Sequence, residues 1–287
     1  MDAGMKVARS SYLAGFAGTS NVRAGRRYRI PVVGTMAHSF VSSHEREIDA
    51  FRSFVRSFPN NSTLLIDTYD TLAGARNAVA VGKEMASRGE RLQGVRIDSG
   101  DLATLAREVR KIFDAAGMQH AKIIGSGGLD EFDLADFADA GIPYDSYGVG
   151  TKMGVSGDAP WFDIAYKLVE YDGRPVLKLS TGKVSWPGKK QVYRLRDADG
   201  QLKNDFVTRR DESVPDAEPL LKKIMAQGKT VAPLPSLEQS RAAFLEEVSR
   251  LPEPMKSILN PEHYSVEFSA VLKELRDAVE RKVAGAE

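Results

Sequence analysis

The chain has 287 residues, 42% of them hydrophobic, and a formal net charge of +1, which allows one large domain or two smaller ones and excludes a global field that attracts nucleic acid. It has no cysteine, which excludes disulfides and cysteine-bound metal. No apolar run approaches the roughly 18 residues of a membrane span, so we expect a cytoplasmic protein without membrane contact. Residues 1–6 lack the apolar core of a secretory signal and are typical of a helix interior, so we expect the chain to begin inside a larger ancestral protein.

The first 160 residues alternate short apolar runs with amphipathic stretches, a pattern typical of a parallel sheet with right-handed helical crossovers. The predicted strands are 29–33, 63–66, 94–97, 122–124 and 145–149. The predicted helices are 48–58, 72–86, 102–113 and 132–140. Five strands do not close a barrel, which usually has about eight. The sheet is therefore open, or it is part of a barrel whose remaining strands are missing.

After about residue 160 the pattern changes to antiparallel hairpins and then to helices. The predicted hairpins pair 164–171 with 175–180, around a turn at Asp172 and Gly173, and 191–196 with 202–208. From Pro215 onward we predict helices, one of them starting at a capping box over 236–239. The predicted domains are a β/α barrel portion with the active-site loops over 1–160, antiparallel hairpins over 161–210 and a helical region over 211–287.

A short polar motif follows each predicted strand of the first 160 residues. The motifs are GTMAH at 34–38, DTYD at 67–70, RIDSGD at 96–101, GSGG at 125–128 and GVGT at 148–151. The carboxyl ends of parallel strands meet on one face of a β/α fold, and active sites form there. We therefore predict that the five motifs assemble into one site.

His38 carries the most versatile chemistry of these motifs, because a neutral imidazole serves as base, nucleophile or metal ligand. None of the other histidines, His44, His120 and His263, stands at the helical spacing of a metal pair with His38, so zinc is not expected. The alternative is a structural loop histidine whose hydrogen bonds are satisfied within the protein.

Arg96 and Asp98 are two residues apart and therefore face the same side of a strand. An arginine inside a sheet is costly unless an acid or an anionic ligand pairs with it, and its fork of donors suits a carboxylate or a phosphate. Asp98 and Asp101 offer acceptors for sugar hydroxyls or ligands for a divalent cation. The alternative is that Asp98 or Ser99 caps the helix starting at Leu102 and Asp101 favours its dipole.

The glycine-rich motifs at 125–128 and 148–151 leave backbone N–H groups bare before helix N-termini, which suits phosphate binding but is also common in turns. Asp67 and Asp70 either bind a cation or hydroxyl or cap the next helix. The basic loop between the two hairpins either contacts a phosphate or is simply solvated; it contains Lys183, Lys189 and Lys190.

With these motifs in this order, the chain resembles the nicotinate phosphoribosyltransferases. The resemblance rests on SYLAGF at 11–16, TSNV at 19–22, GTMAHSF at 34–40, DTYDT at 67–71, VRIDSGDL at 95–102, GSGGLDE at 125–131, YGVGT at 147–151, GK at 182–183 and PGKKQVYR at 187–194. It covers most of the chain and weakens after about residue 210. It implies an α/β fold: an irregular (β/α) barrel of the type II phosphoribosyltransferase kind, here incomplete, packed on a sandwich domain, with an antiparallel β unit and C-terminal helices.

The resemblance also implies an enzyme of NAD biosynthesis. Nicotinate and phosphoribosyl pyrophosphate would give nicotinate mononucleotide and pyrophosphate, assisted by ATP hydrolysis. His38, phosphorylated transiently from ATP, and Arg96 would be catalytic; Thr35 and Arg96 would contact nicotinate, Arg96 through its carboxylate. Asp98 and Asp101 would hold ribose hydroxyls or the shell of a Mg²⁺ ion. The residues implied to hold the 5-phosphate are Ser126, Gly127, Gly128, Gly150 and Thr151.

The family's N-terminal part, well over a hundred residues, has no counterpart here, so the expected site is incomplete. A homodimer is the expected assembly, because a partner subunit contributes to the site in this family. Three alternatives remain: a related transferase using nicotinamide or quinolinate, a truncated and catalytically silent chain that binds a ligand or partner, and an unrelated phosphate-binding barrel enzyme such as an aldolase. The last lacks a strand-end lysine for a Schiff base.

Overall fold

The computed structural model describes residues 2–161 and 164–285, which divide into two compact units. One unit comprises residues 2–9 and 17–161, and the other comprises residues 10–16 and 164–285. Within these ranges, no helix has both the length and the apolar character needed to cross a bilayer.

The first unit is a β/α structure. Its helices are α1 (Asp2–Leu13), whose last turn belongs to the second unit, α2 (Val22–Tyr28), α3 (His38–Ser42), α4 (Glu47–Ser57), α5 (Thr71–Ala86), α6 (Leu102–Ala115), α7 (Glu131–Asp139) and α8 (Thr151–Val155), with a 3-10 turn at Pro59–Asn61. Its strands are β1 (Thr63–Leu65), β2 (Gly94–Ile97), β3 (Lys122–Ser126) and β4 (Ser146–Gly148). The predicted alternation of strands and helices from residue 48 to residue 149 is confirmed.

The four strands form one parallel sheet in the order β1-β2-β3-β4. The strand predicted at 29–33 is wrong, because only a single bridge between Thr19 and Val32 forms there. Pro31 has no N–H to donate to a ladder, and the side chains of Val32 and Val33 are half exposed. Closure of the sheet into a barrel is not seen among the described residues.

The core of the first unit lies between the sheet and the helices that follow its strands. Leu64, Val95 and Ile123 of the strands are fully buried against Phe51 of α4 and Phe113 of α6. Each of these large side chains contributes about 1.5–3 kcal/mol when taken out of water. This packing fixes the strand ends, from which the polar loops extend.

Helix α5 approaches the backbone after β1 more closely than any side chain would allow. A Cβ added to Gly74 would lie 2.1 Å from the carbonyl oxygen of Ile66. The same helix carries Gly82, where an added Cβ would lie 2.8 Å from the terminal methyl of Met118 and 3.3 Å from a methyl group of Leu92. The first contact is with rigid backbone and the second with the end of a flexible side chain.

The second unit is built on an antiparallel hairpin. Its strands are β5 (Glu170–Tyr171), β6 (Arg174–Pro175), β7 (Lys190–Arg196), β8 (Leu202–Arg209), β9 (Glu218–Pro219), β10 (Met225–Ala226), β11 (Lys229–Thr230) and β12 (Ser265–Phe268). Its helices are α9 (Leu237–Ser249) and α10 (Ala270–Ala284), with a 3-10 turn at Glu253–Lys256. The main sheet has the order β12-β8-β7-β9, and β12 joins it parallel to β8. Both predicted hairpins are present, although β5 and β6 are only two residues long.

The prediction of helices from Pro215 onward is wrong for β12 and for the stretch 215–235. Four prolines in this stretch remove the N–H groups that a helix interior needs. Gln227 and Gly228 have positive φ values of 50° and 73° and form the turn between β10 and β11. Helix α9 begins only after the last of these prolines, at the predicted capping box of Ser236 and Gln239.

Charged side chains fasten α9 to the main sheet. Arg194 of β7 makes two 2.9 Å hydrogen bonds to Asp205 of β8 and one of 2.8 Å to Glu247 of α9. Arg196 donates to the same Glu247 at 2.6 Å, and these arginines hold its pKa below the usual range despite its burial. Arg241 of α9 donates to the carbonyl oxygens of residues 12, 15 and 16, which ties the end of α1 to this unit.

We expect Gly74→Ala to lower the free energy of unfolding by about 1–3 kcal/mol, because the new methyl group overlaps the rigid carbonyl of Ile66. Gly82→Ala in the same helix is the matched control. Its loss should be much smaller, since Met118 can move and alanine is favoured over glycine in a helix by about 1 kcal/mol. Urea denaturation measures both, and equal losses in the two variants would contradict the close approach.

Candidate active site

Four predicted site residues form a continuous polar chain at the strand ends of the first unit. Arg96 Nη1 donates to Thr35 Oγ1 at 2.8 Å, and Arg96 Nη2 lies 3.5 Å from Asp98 Oδ1. The other carboxylate oxygen of Asp98 lies 3.8 Å from Nε2 of His38. The imidazole and the guanidinium therefore share one carboxylate, as expected if the separate motifs assemble into one site.

The position of Arg96 agrees with the strand geometry deduced from its spacing to Asp98. Its side chain is 23% exposed, and its Nε is buried without a hydrogen-bond partner in the described part of the chain. A guanidinium has five N–H donors, and Thr35 and Asp98 engage only two of its nitrogens. The side chain can therefore still bind a planar anion such as a carboxylate.

Asp98 is also held from the neighbouring strand. The hydroxyl of Ser126, at the end of β3, donates a short hydrogen bond to Asp98 Oδ1, and its oxygen also lies 3.3 Å from the carbonyl oxygen of Ile97. Ser126 is buried, and Asp98 is 32% exposed. The carboxylate is thus anchored on one side and accessible on the other.

Asp67 organises the loop that carries Asp98. Its Oδ2 accepts the backbone N–H of Asp98 at 3.1 Å and the hydroxyl of Ser99 at 2.5 Å, while Oδ1 is buried without a partner among the described residues. The helix-capping alternative holds instead for Asp70, which accepts from the backbone N–H of Ala73 at 2.7 Å. The sequence left open whether Asp67 binds a ligand or caps a helix. Its position just after β1, which neighbours β2, was the signal for a contact with the loop of Asp98.

Asp101 serves as the N-cap of α6, a role that the sequence alternative had assigned to Asp98 or Ser99. Its side chain accepts the backbone N–H of Thr104 at 3.2 Å, and hydrogen bonds from Thr104 lower the pKa of its carboxyl group. Asp98 and Asp101 therefore have separate protein partners. No group of three or more His, Asp or Glu side chains suited to a metal ion occurs in residues 2–161 and 164–285. The magnesium ligands remain a prediction.

The loop after β3 approaches Asp98 through its backbone. Gly127 has a φ of 102°, and a Cβ at this position would lie 1.9 Å from the carbonyl oxygen of Asp98. Gly128 also has positive φ, at 71°. Only glycine fits the first position, so this motif has a steric reason to be glycine whether or not it binds phosphate.

An ion pair joins the two segments that follow the predicted phosphate loops. Lys152 of α8 lies 2.6 Å from Asp130, the N-cap of α7, and 3.4 Å from Asp133. Gly150 is the N-cap of α8 without a side-chain cap, and Thr151 is the first residue of that helix. Within the described residues, no hydrogen bond or ion pair joins Gly128, Gly150 or Thr151 to His38, Arg96 or Asp98, so their roles remain predictions.

His38 is the first residue of α3 and not part of a loop after a strand. Its side chain is 43% exposed. Its Nδ1 lies 3.0 Å from Oγ1 of Thr68, a residue that sequence reasoning did not single out. The only sequence signal for Thr68 was its place inside the DTYD motif.

In the second unit, two lysines of the basic loop have protein partners. Lys189 pairs with Glu170 at 2.8 Å, and Lys190 donates to the carbonyl oxygens of Trp186 and Gly188 at 2.6 Å each. Burial lowers the pKa of Lys190. These interactions stabilise the loop itself, so the presence of both lysines is explained without a bound phosphate.

Residues 2–209 match the model of the nicotinate phosphoribosyltransferase (NAPRTase) family. The chain belongs to the nicotinate phosphoribosyltransferase family. The model of the nicotinate phosphoribosyltransferase C-terminal domain matches residues 214–276. The resemblance drawn from the sequence motifs is confirmed, and the region after residue 210 matches a family model as well.

Characterised relatives in this family are longer than the chain. Nicotinate phosphoribosyltransferase pncB2 of Mycobacterium tuberculosis is 43% identical over 258 residues, which cover 90% of this chain and 55% of the relative. The Bacillus subtilis enzyme is 36% identical, with 94% and 61% covered, and the Homo sapiens enzyme is 31% identical, with 96% and 65% covered. The chain thus spans between about half and two thirds of their length.

Two solved structures share the fold. The crystal structure of human nicotinic acid phosphoribosyltransferase superposes with a TM-score of 0.83 at 29% identity, covering 96% of this chain and 67% of that one. The crystal structure of nicotinate-nucleotide pyrophosphorylase from Pyrococcus furiosus superposes with a TM-score of 0.70 at 28% identity, covering 84% and 61%. The mixed α/β fold is therefore that of nicotinate phosphoribosyltransferase structures.

The ion pair between Lys152 and Asp130 predicts a pH effect. Lys152 and the backbone N–H of Asp133 lower the pKa of Asp130 from 3.8 to about 2. A carboxyl whose pKa is depressed in the folded state stabilises the fold above pH 4 and loses that contribution as the pH falls towards 2. We expect Lys152→Met to raise the pKa of Asp130 towards 3.8 and to move the onset of acid unfolding upward.

Carbon-13 titration of the Asp130 carboxyl measures this shift. Lys111→Met is the matched control, since Lys111 pairs with Glu108 and not with Asp130. An unchanged Asp130 titration in Lys152→Met would contradict the ion pair.

Proposed function

We propose that this chain carries the site of a nicotinate phosphoribosyltransferase. In the proposed reaction, the phosphoribosyl group of phosphoribosyl pyrophosphate passes to nicotinate, with ATP hydrolysis assisting, to give nicotinate mononucleotide for NAD biosynthesis. The family membership supports the reaction class. The observation that carries the proposal is the shared carboxylate of Asp98, which joins the guanidinium of Arg96 to the imidazole of His38.

Arg96 is the proposed carboxylate receptor for nicotinate. Its guanidinium is partly exposed, and Thr35 binds one of its nitrogens and thereby orients the fork. A charge-assisted pair of hydrogen bonds from arginine to a carboxylate is stronger and more directional than a lysine contact. Nicotinamide, which lacks the negative charge, should bind this arrangement less well.

His38 is the proposed acceptor of a phosphoryl group from ATP. Phosphorylation would place negative charge beside Asp98 and Arg96 and so change the affinity of the site for anionic substrate and product. Displacement of pyrophosphate builds negative charge on the leaving group, and fixed donors stabilise it. The glycine loop with Ser126, Gly127 and Gly128, together with Gly150 and Thr151, is proposed to bind the 5-phosphate through backbone N–H groups.

Magnesium fits this site only in part. Mg²⁺ typically keeps several waters and uses one or two carboxylates together with substrate phosphates. Asp98 has an accessible side and could supply such a carboxylate, whereas Asp101 is engaged as a helix cap. When bound with pyrophosphate, the ion would neutralise charge on the leaving group.

The chain spans less than two thirds of the length of the first relatives it matches. We propose that the closed barrel and the homodimer of the family require the portion of the longer relatives that this chain does not cover. The alternatives are a silent chain that binds ligand without turnover and a transferase acting on nicotinamide or quinolinate. Cytoplasmic localisation is also proposed.

The phosphoryl acceptor is tested by incubation with γ-labelled ATP. We expect acid-labile label on the wild type, its loss in His38→Ala, and its retention in His263→Ala, which removes a histidine of the second unit. Retention of label in His38→Ala would assign the phosphoryl group to another residue. Absence of label on well-folded wild type would favour the silent chain.

The carboxylate receptor is tested by Arg96→Lys, which keeps the charge but removes the planar fork. We expect nicotinate to bind about 10- to 100-fold more weakly, the range of a lost charge-assisted hydrogen bond, with little change for nicotinamide. Calorimetric titration of both ligands measures this difference, even in a chain without turnover. Equal weakening of both ligands would contradict a contact with the carboxylate.

A further inference from the structure

The two ring nitrogens of His38 face partners from two different loops. Nδ1 lies 3.0 Å from the hydroxyl oxygen of Thr68, in the loop between β1 and α5. Nε2 lies 3.8 Å from Oδ2 of Asp98, in the loop between β2 and α6. The ring is therefore held between one hydroxyl group and one carboxylate.

These partners differ in what they can exchange with an imidazole. An ionised carboxylate only accepts hydrogen bonds, whereas a hydroxyl group both donates and accepts. The side chain of Thr68 has no other hydrogen-bond partner in the described part of the chain. When Nε2 carries the ring proton, the Thr68 hydroxyl can donate to Nδ1 at 3.0 Å, and the N–H of the ring, not a lone pair, faces the carboxylate of Asp98 at 3.8 Å.

We infer that Thr68 is a positioning residue that, opposite Asp98, selects the Nε2–H tautomer of His38 and fixes the orientation of its ring. The catalytic meaning of this role rests on the proposed function, but the tautomer itself is a property of the ligand-free protein. A terminal ring torsion is soft and has two broad minima related by a flip. Asp98 alone, at 3.8 Å, leaves that torsion weakly defined, and the shorter contact with Thr68 restrains it.

The elements around Thr68 hold its hydroxyl in place. The preceding residue, Asp67, is 9% exposed and hydrogen-bonded to the loop of Asp98, and Asp70 caps α5. The backbone of Thr68 is thus fixed on both sides. This arrangement couples the two loops that flank the imidazole, so the ring has the same two neighbours in every molecule.

Selecting the tautomer affects reactivity at neutral pH. In the Nε2–H tautomer the unprotonated nitrogen is Nδ1, and its lone pair accepts from the Thr68 hydroxyl, so this hydrogen bond must open before Nδ1 can attack a phosphoryl group. Without the Thr68 hydroxyl, the proton distributes over both nitrogens and the ring can flip. The ratio of the two tautomers then changes, and one neutral hydrogen bond corresponds to about a 2- to 10-fold change.

Nitrogen-15 NMR of histidine-labelled protein tests the inference without any substrate, under alkaline conditions that keep histidine neutral. In the wild type we expect a protonated-type shift for Nε2 of His38 and an unprotonated-type shift for Nδ1. Thr68→Val should move both shifts towards their average, and Thr68→Ser, which keeps the hydroxyl, should restore them. Thr71→Val is the matched control, because it makes the same substitution three residues away.

A proton on Nδ1 in the wild type would overturn the inference, and so would wild-type shifts in Thr68→Val. The wild-type spectrum decides even where a variant fails to fold. Labelling from γ-labelled ATP is a separate readout that tests only the phosphohistidine. An unlabelled wild type with the expected shifts would refute the phosphohistidine and leave the tautomer assignment intact.

Discussion

The candidate site depends on the placement of one carboxylate. Asp98 interacts with Arg96 of the preceding strand β2, with Ser126 of the neighbouring strand β3 and with His38 of α3. A partly buried carboxylate needs such partners, because an unpaired charge in this position would be strongly destabilising. The same partners need Asp98: without it, the guanidinium would lose its counter-charge and the imidazole its acceptor.

The acidic residues of the strand-end loops divide into two groups with different tasks. Asp70, Asp101 and Asp130 accept backbone N–H groups at the starts of α5, α6 and α7 and thus fix where these helices begin. Asp67 and Asp98 bond across neighbouring loops instead. Capping by the first group fixes the loop ends, and the cross-links of the second group bring the loops together. The separation explains how closely spaced acids in one motif can differ in role.

The chain belongs to the nicotinate phosphoribosyltransferase family and spans part of the length of its relatives. The aligned region covers 55% of the Mycobacterium tuberculosis relative and 65% of the human one. The described residues of the first unit form an open four-stranded sheet, and the contacts among His38, Arg96 and Asp98 all lie within this unit.

The sequence alone determined the elements whose signals are local. Apolar periodicity located α4, α5 and α6, buried runs located β1 to β3, and the capping box at Ser236 located the start of α9. The spacing of Arg96 and Asp98 placed both on one side of a strand, and the motif order identified the family. Each of these features depends on residues a few positions apart.

Tertiary structure decided what depends on distant neighbours. Residues 29–33 stay out of the main sheet, since only one bridge, between Thr19 and Val32, forms there. Which acid caps α6, and that Thr68 meets the imidazole across 30 residues of sequence, follow from packing. Local periodicity specifies an element and its buried face, whereas contacts between loops depend on how several elements pack at once.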